Sequence, residues 1–237
     1  MEYITIIIIS LVSMLVLAWF YDFTISKIKK LKQVGFSKEI IKITNKLPEN
    51  KIVCEEILKQ LNNFENVKIV QDSNQNAKAS LYIVATNTIS IANVNKACSR
   101  IQTIAHECVH SVQDKKLLWF NFIFSNIYII YFIIISILTI FYRIQNQMIF
   151  LYILTLFSFI YYKIRSFLET DAMTRAPYIT KQYIHTSKIL TVEEEKKVMD
   201  AYAILNDIGI KISNLDLFAG CIIKIIIYCV ICTIVYK

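Results

Sequence analysis

Four runs of apolar residues constrain what this chain can fold into more than any other feature. Residues 4–20 carry no charge, residues 117–142 form a second charge-free run rich in Ile and Phe, residues 148–162 form a third, and residues 217–236 carry only Lys224. A helix that crosses a bilayer needs about 20 apolar residues, within a range of about 17 to 25. The first, second and fourth runs reach that length. The third reaches only about 22 Å as a helix, and Tyr161 and Tyr162 extend it as interfacial anchors. The composition agrees: 56% of residues are hydrophobic, mean hydropathy is +0.49, and there are three Gly and two Pro. Such a chain is too apolar for a soluble globular domain of its size. The expectation is a multi-pass α-helical membrane protein with about four spans.

The first run could also be read as a cleaved signal peptide. Its front end is Met-Glu without Lys or Arg, and no small-x-small cleavage site follows, so a retained anchor is expected. Positive charges set the orientation. Lys27, Lys29, Lys30 and Lys32 follow the first span, Lys115 and Lys116 precede the second, and Lys163 and Arg165 follow the third, whereas the loop between the second and third holds only Arg143. Positive flanks mark the cytoplasmic side. The expected organisation is a membrane anchor over 1–21, a cytoplasmic part over 22–116, a transmembrane hairpin over 117–162, a cytoplasmic helical part over 163–216 and a last span over 217–237. On this reading the net charge of +8 reflects topology and contact with lipid headgroups, and no nucleic-acid partner is expected. The six cysteines, Cys54, Cys98, Cys108, Cys221, Cys229 and Cys232, lack the paired spacing of a cysteine zinc site and are expected to be small buried hydrophobes.

Within the cytoplasmic parts, Ser37 reads as a helix cap and Pro48 as the end of that stretch. Residues 53–62 read as a second helix. Residues 67–70, 80–85 and 89–92 are β-like, the last two forming a hairpin around Thr86-Asn87-Thr88, and 71–76 reads as a loop. A helix is expected over 96–116. Residues 163–176 continue the third span, with Pro177 closing the helix, and Thr191 with Glu194 forms a capping box for a helix to about Asn206.

The helix over 96–116 contains His106-Glu107-Cys108-Val109-His110, which uses two of the three histidines in the chain. Ile101, Ile104, Ala105, Cys108, Val109 and Val112 repeat at the spacing of one buried face. His106 and His110 lie about 150° from that face, in a stripe shared with Thr103 and Gln113. Residues one turn apart project side by side, so the two imidazoles can hold one zinc ion at about 2.0–2.1 Å. Glu107 stands beside the open position, where a general base accepts a proton from water and delivers it to a leaving amine. Cys108 belongs to the packing face.

A catalytic zinc needs a third protein ligand. Glu169, Asp171 and His185 are the candidates. Glu169 shares a helix face with Ala172, Met173 and Ala176, and the alanines allow another helix to approach closely. Asp171 points nearly the opposite way and can pair with Arg175. Glu169 is therefore assigned to zinc. Asp171 is read either as a carboxylate supporting a ligand or as the partner of Arg175, and His185 as a lesser ligand candidate or an oxyanion donor. The hairpin would carry both ligand-bearing helices out on one side of the membrane, at similar depth.

The run from Thr103 to Gln113, together with Glu169-Thr170-Asp171-Ala172, Arg175-Ala176 and Lys197-Val198-Met199-Asp200-Ala201, resembles the neutral zinc metallopeptidase family of bacterial membrane proteins (YugP-like), over nearly the whole chain. The resemblance implies zinc ligands at His106, His110 and Glu169, a catalytic Glu107, and a small α+β gluzincin-like (zincin-like) cytoplasmic domain, related in plan to HtpX-like membrane proteases. It implies a peptide or membrane-protein substrate, bound as an added strand beside the zinc helix, at the cytoplasmic face of the cell membrane. The family pattern has Gly where this chain has Val109, a change on the packing face. Arg175, Tyr178, Tyr183 and His185 are the candidate oxyanion stabilisers. Two other classes remain: a catalytically degenerate, metal-binding or interaction protein of the same fold, and a transporter or structural membrane protein, for which Lys224 within the last span is the best feature.

Overall fold

The computed structural model describes residues 2–71, 80–92 and 97–236; the expected loop over 71–76 and the start of the expected helix at Lys96 lie largely outside them. Among the described residues the chain forms eight α-helices and three short strands. In order these are α1 (Glu2–Phe20), α2 (Ile25–Gly35), α3 (Lys38–Thr44), α4 (Asn50–Gln60), β1 (Lys68–Gln71), β2 (Leu81–Ile83), β3 (Thr88–Ile91), α5 (Arg100–Val112), α6 (Lys115–Tyr142), α7 (Gln147–Ser187) and α8 (Val192–Val235). Four of them, α1, α6, α7 and α8, are long and apolar enough to cross a membrane. The chain divides into two compact units, one formed by residues 1–23, 120–167 and 211–237, the other by 24–119 and 168–210.

The first unit is a bundle built from the four apolar segments. Its core joins Tyr128 and Ile135 of α6, Leu151 and Leu154 of α7, and Ile225, Tyr228, Cys229 and Cys232 of α8, with Tyr3, Ile6 and Ile7 of α1 packed against them. Large apolar side chains such as Ile130, Ile133, Leu156, Phe159 and Ile223 face outward, as expected of a surface solvated by lipid. Polar groups inside the bundle are bonded to one another, because an unbonded one in an apolar medium costs several kcal/mol, on the order of 2–7. Tyr128 and Ser158 share a hydroxyl hydrogen bond of 2.8 Å, and Thr139 Oγ1 donates to Ile135 O at 2.7 Å. Lys224 Nζ donates to Gly220 O at 3.1 Å and lies 5.2 Å from the Tyr128 ring centroid. The bundle itself thus accounts for Lys224, as an ammonium held by a carbonyl and an aromatic face.

The second unit carries a three-stranded sheet of order β1-β3-β2, with β1 parallel and β2 antiparallel to β3. The expected hairpin is present. Its turn passes through Asn87, whose φ of 48° is left-handed, a conformation asparagine tolerates better than most residues. The core under the sheet draws on Val53, Cys54, Ile57 and Leu58 of α4, Ile89 and Ile91 of β3, Ile101, Ile104, Ala105 and Cys108 of α5, Ala176, Tyr183 and Ile184 of α7, and Val198 and Tyr202 of α8. The expected buried face of α5 is therefore the real one. Val109 is fully buried as well.

Several helix boundaries differ from those read in the sequence: α3 ends at Thr44, ahead of Pro48, and the helix expected over 53–62 spans Asn50–Gln60. The helix bearing the histidines stops at Val112. Gln113 takes an extended ψ of 166°, and Asp114 starts α6 by accepting from Leu117 N through Oδ1 at 3.0 Å, so α5 and α6 are separate. Pro177 does not close α7, which runs ten residues further to Ser187. Proline removes one intrahelical bond, but Ala176, Thr180, Tyr183 and Ile184 are all buried around it, and that packing holds the helix together. The capping box is present, with Thr191 N donating to Glu194 Oε2 and Glu194 N to Thr191 Oγ1. The helix it starts continues through Asn206 to Val235, since no proline follows and Gly209 and Gly220 each cost only about 1 kcal/mol. The helix α2, with Thr24 as its cap, was not anticipated.

Candidate metal centre

Two helices of the second unit carry the cluster. On α5, His106 and His110 stand one turn apart with their Nε2 atoms 3.0 Å from each other and their rings nearly perpendicular, at 89°. From α7, Glu169 presents Oε2 to His106 Nε2 at 3.3 Å and Oε1 to His110 Nε2 at 3.7 Å. The helix faces meet because α7 packs through small residues: Ala172 and Ala176 are buried to within 1%. The three ligand atoms lie within 4.8 Å of one another.

These separations permit a test of fit. A tetrahedral ion bound at about 2.0–2.1 Å holds its ligand atoms roughly 3.3–3.4 Å apart. The two imidazole nitrogens, 3.0 Å apart, and the two Glu169 oxygens, one 3.3 Å from His106 and the other 3.7 Å from His110, lie close to that value, and one atom from each residue falls within 4.8 Å of the others. The donor set, two imidazole nitrogens and one carboxylate, suits a divalent transition ion with an open position. The side chains of His106, His110 and Glu169 are 19%, 9% and 14% exposed, so the cluster is most open beside His106.

Glu107 ligates nothing in this arrangement. It is buried, and its Oε2 accepts a hydrogen bond from the backbone N–H of Tyr82 on β2 at 2.7 Å. Burial pushes its carboxyl group above the usual range, against the opposing pull of His106, His110 and the Tyr82 bond; the nearby Glu169 adds to the rise. For His110, burial disfavours the charged ring, but the bond and charge of Glu169, with Glu107 and Gln113, outweigh it and raise its pKa. Glu169 and Glu107 thus favour the charged form of His110.

The structure places the remaining candidates elsewhere. Asp171 pairs with Arg175, as one of its two readings expects: Oδ2 accepts from Arg175 Nη1 at 3.4 Å, and also from Gln113 Nε2 at 2.8 Å. His185 is exposed and pairs with Glu195 at 3.4 Å, outside the cluster, so its ligand reading is set aside. Tyr178 is exposed and Tyr183 is buried in the core. Gln113 and the Tyr82 N–H contact the cluster residues directly but were not assigned roles from the sequence. The position of Gln113 in the histidine stripe was the available signal; a backbone donor has none. Cys108 lies against Cys54, Sγ to Sγ 3.7 Å, both buried, as packing residues.

No protein-family model, characterised protein or solved structure matches this chain.

Proposed function

We propose that this chain is a multi-pass membrane metallopeptidase of the kind its motifs resemble, holding zinc through His106, His110 and Glu169, with its site at the cytoplasmic face of the cell membrane. The observation that carries the reading is the convergence of two imidazoles and a carboxylate, distant in sequence, on one point beside a fourth group, Glu107, that is not a ligand. When bound, zinc would act as a Lewis acid toward the scissile carbonyl and the attacking water. The residues supply the rest. His106, His110 and Glu169 fix the ion and leave one side open. Glu107 takes the proton from water and passes it to the leaving amine, a general acid–base role open to a buried carboxyl group that lies beside the cluster. Strand β2 lies at the sheet edge, close to Glu107, which takes the Tyr82 N–H; an extended peptide or an exposed segment of a membrane protein would align there as an added strand through the edge groups that remain.

The same donor set also suits ferrous iron in oxygen chemistry. A carboxyl group close to the cluster but outside the ligand set, as Glu107 is, fits hydrolysis better than oxygen chemistry, and the proposal is therefore zinc. The test is metal analysis of the purified full chain with His106→Ala and Glu169→Ala variants, alongside peptide hydrolysis by Glu107→Gln. The reading expects about one zinc per chain, lost in the first two variants. In Glu107→Gln zinc should remain while hydrolysis falls by about 10²-fold or more. Zinc retained in both ligand variants would refute the site. Equal, negligible hydrolysis by wild type and Glu107→Gln would leave a metal-binding protein without turnover.

A further inference from the structure

The side chain of Gln113 makes three hydrogen bonds, and their directions can be worked out. Its amide nitrogen lies 2.9 Å from Leu168 O and 2.8 Å from Asp171 Oδ2, and its Oε1 lies 2.7 Å from His110 Nδ1. A backbone carbonyl only accepts, and so does an ionised carboxylate; Leu168 O alone already requires the amide nitrogen on this side. Both amide N–H bonds are thus committed to α7. Rotating the amide by half a turn would set oxygen against two acceptors. Oε1 must therefore face His110 and can only accept, which places a proton on His110 Nδ1. In the neutral ring the His110 Nε2 lone pair then faces His106 and Glu169.

We propose that Gln113 is the positioning residue of the metal centre: it selects the His110 tautomer able to bind a cation and fixes α7 in register beside Glu169. The inference rests on the metal reading above and extends it. Its reach comes from where Gln113 sits. It is the residue that ends α5, it is buried, and two of its bonds go to the residues flanking the third ligand, Leu168 and Asp171. One amide therefore ties both halves of the cluster together. Asp171 acts through it, anchoring the amide that anchors the imidazole. Metal-ligating histidines commonly donate their second ring N–H to such a partner, and losing the partner typically weakens binding about 10–100-fold.

The test uses the full-length protein in detergent, with zinc affinity measured by competition against a chromogenic chelator. Gln113→Leu keeps the bulk and removes the bonds, and it should weaken zinc binding by about 10–100-fold. Gln113→Glu can still accept from His110 but sets a second oxygen against the Asp171 carboxylate, and it should weaken binding as well. Combining Gln113→Glu with Asp171→Asn reverses the polarity of that one bond: the introduced amide donates where the Asp171 carboxylate accepted, while Leu168 O still meets an oxygen. Affinity should therefore rise above that of Gln113→Glu alone without reaching wild type, a partial rescue that a role in packing alone would not give. Wild-type affinity in both single variants, or no recovery in the double variant, would overturn the inference while leaving the metal reading intact. Zinc binding absent from the wild type, or unchanged in His106→Ala, would instead remove the metal reading and this inference with it. If Gln113→Leu does not fold, comparison of Gln113→Glu with the double variant decides alone.

Discussion

The backbone N–H of Tyr82 donates to Glu107 Oε2 across 2.7 Å. A residue has one N–H, so this donor is not available to the ladder between β2 and β3, and the strand edge is joined to the carboxylate. A buried carboxylate held by a single backbone donor depends on that donor. Tyr82→Pro removes the N–H; Tyr82→Ala keeps it. Both variants lose the Tyr82 hydroxyl, which bonds Asn87 and Lys115, so comparing them isolates the donor. A hydrogen bond to a charged group contributes about 1.5–3 kcal/mol. Tyr82→Pro should be less stable than Tyr82→Ala by at least that amount, read by chemical denaturation in detergent. Equal stability would show that the bond contributes nothing.

Arg100 opens α5 and is buried. Its Nη1 donates to Pro48 O at 2.8 Å and to Asn50 Oδ1 at 2.9 Å, and its Nη2 to Thr44 O at 2.7 Å and Leu47 O at 3.2 Å. One guanidinium thus satisfies the carbonyls at the end of α3 and locks the start of the helix that carries the histidines. Burial lowers its pKa, yet arginine stays charged at any working pH. Arg100→Met leaves four acceptors without this donor and should destabilise the protein by about 3 kcal/mol or more. Arg100→Lys should cost nearly as much, because an ammonium lacks the planar fork. Full retention of the thermal midpoint in Arg100→Lys would count against this account.

These features differ in how far the sequence discloses them. The histidine pair is legible because i and i+4 side chains on a helix must neighbour one another. Glu169 is legible because face counting separates it from Asp171, and the buried alanines beside it confirm which side packs. The four apolar helices follow from run length alone. The bonds of Gln113 are not legible, since they depend on the register between α5 and α7, which no local pattern encodes. The Tyr82 contact is hidden for a different reason: every residue except proline has an N–H. Pro177 misled because a local stop signal was overruled by packing on both sides of it. The join between the predicted helix ending near Asn206 and the last apolar run was missed because Asp207, Lys211 and Asp216 look like a polar break, although α8 continues through them.

Gly209 lies inside α8, and a methyl group added there would sit 2.9 Å from Met173 Cε. Two effects oppose each other. Alanine is favoured over glycine within a helix by about 1 kcal/mol, and the close contact requires Met173 to move. That contact is with the end of a flexible side chain, which can change rotamer at small cost. Gly209→Ala should therefore shift stability by less than about 1 kcal/mol in either direction. Against a Met173→Ala background the clash is gone, and the same substitution should stabilise by close to the full helix-propensity difference. A loss of stability in that background would show that something other than Met173 excludes the methyl group.

Cys98 is fully buried in the core just before α5, and burial raises its thiol from 9.0 to about 11. In the unfolded chain the thiol ionises near its ordinary value, so the native state binds its proton more tightly. The stability linked to this group is then complete below pH 9 and is lost as pH rises through about 11. One pKa unit corresponds to about 1.4 kcal/mol, so the loss is on the order of 3 kcal/mol across that window. Cys98→Ala has no proton to lose. The stability difference between wild type and Cys98→Ala should be constant from pH 7 to 8.5 and should then move in favour of the variant by a few kcal/mol, on the order of 3, as pH approaches 11. Denaturation in detergent at a series of pH values measures it. A difference that stays flat to pH 11 would mean the thiol is reached by water as readily in the folded protein as in the unfolded one.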